Sequence, residues 1–291
     1  MFKGSMVAIV TPFDADGRFA EETYRELIEF QIENGTDAII PCGTTGESAT
    51  LDYKEHDEVI KVCIEQVKGR IPVIAGTGSN STAEAIELSQ HAKEMGADGV
   101  LLVSPYYNKP TQEGLYQHYK AIHDAVAIPQ VLYNVPGRTG MNMEAKTTIR
   151  LAELPNIVAI KEASGSVTQA SEIIAAAGDK IGVLSGDDFL TLPLMACGAT
   201  GIISVTANIA PKQVKAMVAA INAGNWGEAK RLHLDLLALH QAMFIESNPV
   251  PVKAALALMG KARADVRLPL VALTAPSGET LKAVMQQSGL L

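Results

Sequence analysis

The stretch Ile157-Val158-Ala159-Ile160-Lys161-Glu162-Ala163-Ser164-Gly165 decides the fold. An apolar run too short for a helix gives way to polar residues and a glycine, as a buried strand does where it leaves a core. Its strand portion is placed at 158–161, and seven other short apolar runs repeat the layout at 6–10, 38–41, 73–75, 100–103, 130–133, 182–184 and 201–205. Helical period fills the intervals. Ser81-Thr82-Ala83-Glu84 forms a capping box that opens a helix towards Met95, and Gly96 is placed to end it. Thr111-Gln112-Glu113 opens another helix, Glu144 begins a stretch ending near Leu154-Pro155, and Pro211 suits a first helical turn.

Nearly all-apolar strands suit a parallel sheet buried on both faces. Eight repeats of one unit, with no GxGxxG opening the first, favour an α/β fold of the (β/α)8 TIM-barrel type over the alternative, an open doubly wound sheet. Beyond the eighth unit, 226–247, 250–261 and 277–287 carry helical patterns without intervening strands. The expected division is a barrel over 1–224 that carries the active site and a C-terminal helical domain over 225–291 that packs against it.

With 47% hydrophobic and 19% charged residues, the 291-residue chain has material for a large core and does not resemble a disordered composition. Its net charge of −8, without a basic run, disfavours nucleic acid and anionic membrane surfaces as partners. Cys42, Cys63 and Cys197 are odd in number and widely spaced, which argues against a disulfide framework or zinc site and for a reducing cytoplasmic location. The apolar run 6–10 is too short for a signal-peptide core, and no stretch of ~18 apolar residues suggests a membrane span.

In a barrel the chemistry collects at the carboxyl ends of the strands. Here those ends are Gly43-Thr44-Thr45-Gly46-Glu47-Ser48, Pro105-Tyr106-Tyr107-Asn108, the run from Tyr133 through Asn134-Val135-Pro136-Gly137-Arg138-Thr139 to Gly140, Lys161-Glu162, Ser185-Gly186-Asp187-Asp188 and Ser204-Val205-Thr206-Ala207-Asn208. A period of two places Ile157, Ala159 and Lys161 on one face, with the small alanine leaving room below the amine. Desolvated there, the amine's pKa falls from about 10.4 towards neutrality, which supplies the free base a carbonyl nucleophile needs. A strand-end lysine reaching solvent, or pairing with Glu162, fits the position alone equally well.

Tyr133 tips that balance. It lies 28 residues before Lys161, one strand-loop-helix unit, so the two should stand at matching heights on neighbouring strands ~5 Å apart. A phenol beside an amine can shuttle protons. Arg138, in a Pro-Gly-Arg-Thr-Gly turn, offers a planar fork for a carboxylate, and Gly43-Thr44-Thr45-Gly46 offers N–H groups and hydroxyls for a second anion.

Other chemistries lack their motifs. Gly76-Thr77-Gly78-Ser79-Asn80-Ser81 imitates a dinucleotide fingerprint but has Ser81 where the last glycine belongs and follows the third strand, so it reads as a loop-to-helix cap. There is no Walker A lysine motif and no GxSxG elbow. The six histidines form no HExxH or other ligand cluster, so neither a metal nor a cofactor is expected, and His233 and His240 read as solvated neighbours on one helix face. Asp187 and Asp188 argue against a phosphorylated substrate.

With these residues laid out, the whole chain resembles the dihydrodipicolinate synthases, within the pyruvate-dependent class I aldolase family that also contains N-acetylneuraminate lyase. The most specific elements are Gly43-Thr44-Thr45-Gly46-Glu47-Ser48 followed by Glu55, and Tyr133-Asn134-Val135-Pro136 with Lys161. The resemblance implies that Lys161 forms an imine with pyruvate, while Tyr133, Thr44 and Tyr107 make a proton relay in which Tyr107 comes from the neighbouring subunit. It assigns pyruvate's carboxylate to Thr45 and lines the pocket with the main chains of Gly186 and Ile203. The second substrate is then L-aspartate 4-semialdehyde, its carboxylate clamped by Arg138, and the product 4-hydroxy-tetrahydrodipicolinate belongs to diaminopimelate and L-lysine biosynthesis. An arginine in that turn separates the synthases from the sugar-acid lyases of the same family. A non-catalytic barrel that binds keto acids or amino acids is a third reading.

The relay across subunits implies at least a dimer, with the homotetramer common in the family, a dimer of dimers, as the expected assembly. The family's L-lysine effector site matches Ser48, Ala49, His56, Asn80, Glu84 and Tyr106, although Tyr53 stands where one lysine-sensitive group has a histidine.

Overall fold

Eight parallel strands form the frame of this computed structural model, which describes residues 2–291. Met1, where the expected first domain and the resemblance begin, lies outside the described residues. The strands are β1 (Gly4–Ala8), β2 (Ala38–Ile40), β3 (Ile74–Gly76), β4 (Gly99–Val103), β5 (Gln130–Asn134), β6 (Ile157–Glu162), β7 (Gly182–Ser185) and β8 (Gly201–Ser204). Their ladder runs β2-β1-β8-β7-β6-β5-β4-β3, and the parallel bridge Ile39–Val73 joins its two ends into a barrel. Helices alternate with the strands, and the expected TIM-barrel architecture is the one observed.

Alternation along each strand creates two apolar layers. Met6, Ala8, Ile40, Ile74, Leu101, Val131, Ala159, Leu184 and Ile203 fill the barrel's interior. Val7, Ile39, Val100, Leu102, Leu132, Ile160, Val183 and Ile202 point outwards into the larger core beneath the helices. The first strand begins and ends two residues earlier than its apolar run suggests. Ser5 N–H is held by Asp37 Oδ2 at 2.7 Å, so a polar residue starts the strand, and Val10 N–H turns away to Asn208 Oδ1 at 3.1 Å.

The helix signals translate closely. Residues Thr82–Met95 form a helix between Ser81, whose hydroxyl accepts Glu84 N–H, and Gly96 at a φ of 94°. The capping box is only half formed, because the Glu84 carboxylate accepts from the Ser79 hydroxyl at 2.7 Å instead of reaching back to Ser81. After β8 come the helices Pro211–Asn222, Trp226–Ala242, Val250–Leu258 and Ala275–Gln287. Among the described residues no helix is long and apolar enough to cross a membrane.

The glycines that imitate a nucleotide fingerprint serve strand packing. A methyl group on Gly76 would lie 2.2 Å from the Cys42 carbonyl oxygen, and one on Gly78 would lie 2.3 Å from the Val103 nitrogen. Gly76→Ala should therefore lower stability by about 1–3 kcal/mol through overpacking. Gly278→Ala, with nothing within 4 Å, should be neutral or stabilising by up to about 1 kcal/mol. Urea unfolding midpoints of the two variants check the contrast.

Candidate active site

Strand β6 delivers Lys161 to the inner face one residue pair above Ala159, and the cross-strand register sets Tyr133 of β5 directly opposite it. One part of the sequence reading needs correction: Ile157 does not share that face. The register shifts between Gln130 and Val131, so Gln130 pairs with Ile157 and Val131 with Ala159, and Ile157 falls in the outer core. The irregularity changes the alternation phase below Ala159 but leaves the lysine pointing inwards.

Lys161 is 4% exposed. Burial drives its pKa down from 10.5 to about 8, against the carboxylates of Asp188 and Asp187, which pull it up, and with a further push down from Arg138. Its Nζ lies over the face of the Tyr133 ring, 4.3 Å from the centroid, where the ring quadrupole compensates part of the lost hydration. Tyr133 is pushed up to about 12, chiefly by burial, with Arg138 and the neighbouring Thr44 side chain acting the other way. The phenol thus stays protonated at neutral pH beside a partly neutral amine.

The other floor and wall positions follow from close packing. A methyl group on Gly186 would stand 3.2 Å from Lys161 Cε and 2.7 Å from Ala163 Cβ, so only glycine leaves the lysine its channel. Ile203 of β8 is fully buried in the same interior layer. Asp187 rises to about 6, mainly through burial, with Lys161 opposing. Asp188 is fully buried and accepts hydrogen bonds from the Ser204 hydroxyl and from the N–H groups of Val205 at 2.9 Å and Thr206 at 3.4 Å.

His240 is the second correction. It is not solvated but 0% exposed, its Nδ1 lying 2.9 Å from the Thr206 hydroxyl and 3.8 Å from Asp188. The helix face it shares with His233 is turned towards the barrel, and burial pulls the pKa of both imidazoles down.

The C-terminal region contributes a residue that no motif announced, in the turn between the helices Trp226–Ala242 and Val250–Leu258. Asn248 donates from Nδ2 to the Thr45 hydroxyl at 2.9 Å, and its carbonyl accepts from Arg138 Nη2 at 3.1 Å. Both candidate anion-binding residues are therefore held by one side chain and one carbonyl of the same residue. These contacts span more than a hundred positions and leave no local signal.

Tyr107 is not brought to Lys161 within one chain. It is 90% exposed and held at a φ of 71°, a strained conformation for an aromatic residue. Asn108 fixes that turn by donating to the Asn80 carbonyl at 2.8 Å, and Asn80 donates to the Tyr106 carbonyl at 3.2 Å. Glu84 and Tyr106 both raise the pKa of Tyr53, although burial is the larger cause, so these candidate effector residues form one neighbourhood. Ser48 and Ala49 lie in the short helical turn Ser48–Thr50. His56 is buried, with Nε2 2.8 Å from the Gly76 carbonyl and Nδ1 without a hydrogen-bond partner among the described residues. Among those residues no group of three His, Cys, Asp or Glu side chains is placed to hold a metal ion.

An amine of depressed pKa inside an α/β barrel, beside a protonated phenol that has Thr44 for a neighbour, is the equipment of an imine-forming lyase. Comparison with known proteins gives the family. The model of the "Dihydrodipicolinate synthetase family" matches residues 1–288, and the chain belongs to that family. A 4-hydroxy-tetrahydrodipicolinate synthase of Syntrophotalea carbinolica is 69% identical over 291 residues, covering 100% of this chain and 99% of its own. Among solved structures, a dihydrodipicolinate synthase from Acinetobacter baumannii complexed with pyruvate has a TM-score of 0.98 at 51% identity, with 100% of each chain covered. One from Cyanidioschyzon merolae with lysine bound has a TM-score of 0.97 at 45% identity, covering 100% of this chain and 99% of that one. The chain is an enzyme with the activity of its full-length relatives, 4-hydroxy-tetrahydrodipicolinate synthesis.

The lysine's environment yields a stability prediction with a defined sign. The folded pKa of about 8 lies below that of an unfolded lysine, so the cost of the buried charge is fully present below pH 8 and is relieved as pH rises towards 10.5. Lys161→Met should therefore stabilise the fold by roughly 1–3 kcal/mol at pH 7, flatten that pH slope and abolish the reaction. Thermal unfolding between neutral and alkaline pH measures both effects.

Proposed function

We propose that Lys161 is the nucleophile that condenses pyruvate with L-aspartate 4-semialdehyde. The observation that carries this reading is the amine itself, buried on the inner face of β6 with a pKa of about 8 and in register with Tyr133. Its neutral form attacks the pyruvate carbonyl carbon, and loss of water leaves a protonated imine on Lys161. Tyr133, with Thr44 beside it, passes protons to and from the departing oxygen. Thr45 holds pyruvate's carboxylate through its hydroxyl and backbone, and the main chains of Gly186 and Ile203 line the pocket. Loss of a methyl proton gives the enamine, whose carbon attacks the aldehyde while Arg138 clamps the semialdehyde's carboxylate. The adduct's own amine then displaces Lys161, closing the ring and freeing the enzyme.

Tyr107 completes the relay from a neighbouring subunit, a reading supported by its exposure and strained backbone. That relay requires at least a dimer, and the family resemblance extends the assembly to a homotetramer built as a dimer of dimers. The chain divides into a barrel over 1–224 and a helical domain over 225–291, works in the cytoplasm, and uses neither metal nor organic cofactor. L-Lysine is its effector, received by Ser48, Ala49, His56, Asn80, Glu84 and Tyr106. The pyruvate-bound and lysine-bound relatives support these ligands by analogy.

Borohydride reduction in the presence of pyruvate should attach one three-carbon unit to Lys161 alone, with a trapping rate that rises through about pH 8. An unmodified Lys161 under saturating pyruvate would sink the imine mechanism. Arg138→Ala should leave the adduct intact and raise the KM for the semialdehyde by roughly tenfold or more, as loss of a charge-assisted clamp does. Tyr107→Phe should cut kcat by roughly ten- to a hundredfold, the contribution of a proton-transfer group. Both are read in steady-state kinetics beside adduct mass.

A further inference from the structure

Lys253 is even more deeply buried than Lys161, and its side chain is 1% exposed. Its Nζ donates to Glu47 Oε1 at 2.5 Å, and the Glu47 side chain is equally buried. Oε2 of the same carboxylate accepts the Arg267 backbone N–H at 3.0 Å. The ammonium stands 4.0 Å from the centroid of Phe13, and the Arg267 guanidinium stands 4.2 Å from the same centroid. Removing two charges from water is expensive, and apolar residues of the same shape are commonly as stable or more so. Stability is therefore a weak reason for this pair, and what it fixes in space is a better one.

Glu47 closes the Gly43-Thr44-Thr45-Gly46 turn. Its own N–H bonds to the Thr44 carbonyl at 3.1 Å, and its backbone is held at a left-handed φ of 55°, a conformation that a glutamate adopts only under constraint. Thr11 ties the preceding carbonyl, that of Gly46, through its hydroxyl at 2.7 Å. Lys253 belongs to the segment that also carries Asn248, whose amide holds the Thr45 hydroxyl at 2.9 Å. A single stretch of the C-terminal region thus grips both sides of the turn, one grip on a hydroxyl and one on a buried charge.

We infer that the buried Glu47–Lys253 pair is a positioning device for pyruvate, locking the Thr44-Thr45 turn onto the C-terminal helices so that the Thr45 hydroxyl and backbone face the substrate's carboxylate. The inference rests on the role proposed above for Thr45. Neither Glu47 nor Lys253 touches substrate. The contact between Arg138 and Asn248 uses the Asn248 main chain, so the semialdehyde's clamp does not depend on the pair.

Full-length Lys253→Met, Glu47→Gln and the double variant test this, with Lys253→Arg retaining the charge. The double variant leaves no unpaired buried charge and should fold even where a single variant does not. Expected is a rise in the KM for pyruvate of roughly tenfold or more, the scale on which small misplacements act. The KM for the semialdehyde should stay within about twofold, and Lys253→Arg should fall nearer the wild type than Lys253→Met. A folded double variant with an unchanged pyruvate KM would overturn the inference, as would a loss that scales both KM values and kcat together. Thr45→Val run alongside separates the two levels. If it too leaves pyruvate binding unchanged, the assigned role of Thr45 fails; if it alone weakens pyruvate binding, only the positioning role fails.

Discussion

The desolvation of one amine is the constraint on which the rest of the barrel mouth depends. Lys161 enters an interior filled by aliphatic side chains and Tyr133, where burial drives its pKa down while Asp188 and Asp187 pull it up. The carboxylates must then be supported in turn. Asp188 accepts hydrogen bonds from a hydroxyl and two backbone N–H groups of β8 and the segment after it, and His240 backs that segment through Thr206. Gly186 keeps this corner open, because a methyl group there would clash with Ala163 Cβ at 2.7 Å and crowd Lys161 Cε at 3.2 Å. The buried lysine, its counter-charges and the glycine beside it form one packed unit across β6, β7 and β8.

A second constraint comes from outside the barrel. The loops after β2 and β5 carry the hydroxyl and the guanidinium suited to anions, and short loops of this kind wander unless something holds them. The C-terminal helix Val250–Leu258 and the turn before it supply that hold. Asn248 reaches both loops, and Lys253 reaches the first through a buried carboxylate. A set of helices that a barrel does not need for closure thereby becomes the rigid backing of its active face, an arrangement that fits the demand for positioned rather than flexible binding groups.

Local signals in the sequence carried the frame and the centre of the site, but not its supports. Strand count, helix caps at Ser81, Gly96 and Thr111, and the pairing of Tyr133 with Lys161 all follow from periodicities that need only neighbours along the chain. The phase of Ile157 does not, because a register shift near Val131 is set by the neighbouring strand. The start of β1 was hidden because Ser5 and Gly4 lack apolar side chains, and its place is fixed by Asp37, more than thirty residues away. His240 read as solvated because histidine on a surface-facing helix usually is. Its burial arises from the loop after β8, which the helix covers only in three dimensions. Asn248 and Lys253 were illegible for the same reason, being ordinary residues until the fold sets them against Thr45 and Glu47.

The charge balance around Lys161 also changes meaning along the proposed reaction. Before pyruvate binds, the carboxylates oppose formation of the reactive free amine, since they raise its pKa against the effect of burial. At pH 7 an amine of pKa 8 is neutral in roughly one molecule in ten, a modest loss. Once the imine forms, its nitrogen carries a positive charge that the following proton loss depends on, and the same buried carboxylates then stabilise it. A more apolar pocket would give more free amine and a less stable iminium, so the balance of burial against the two carboxylates serves both species of the proposed reaction.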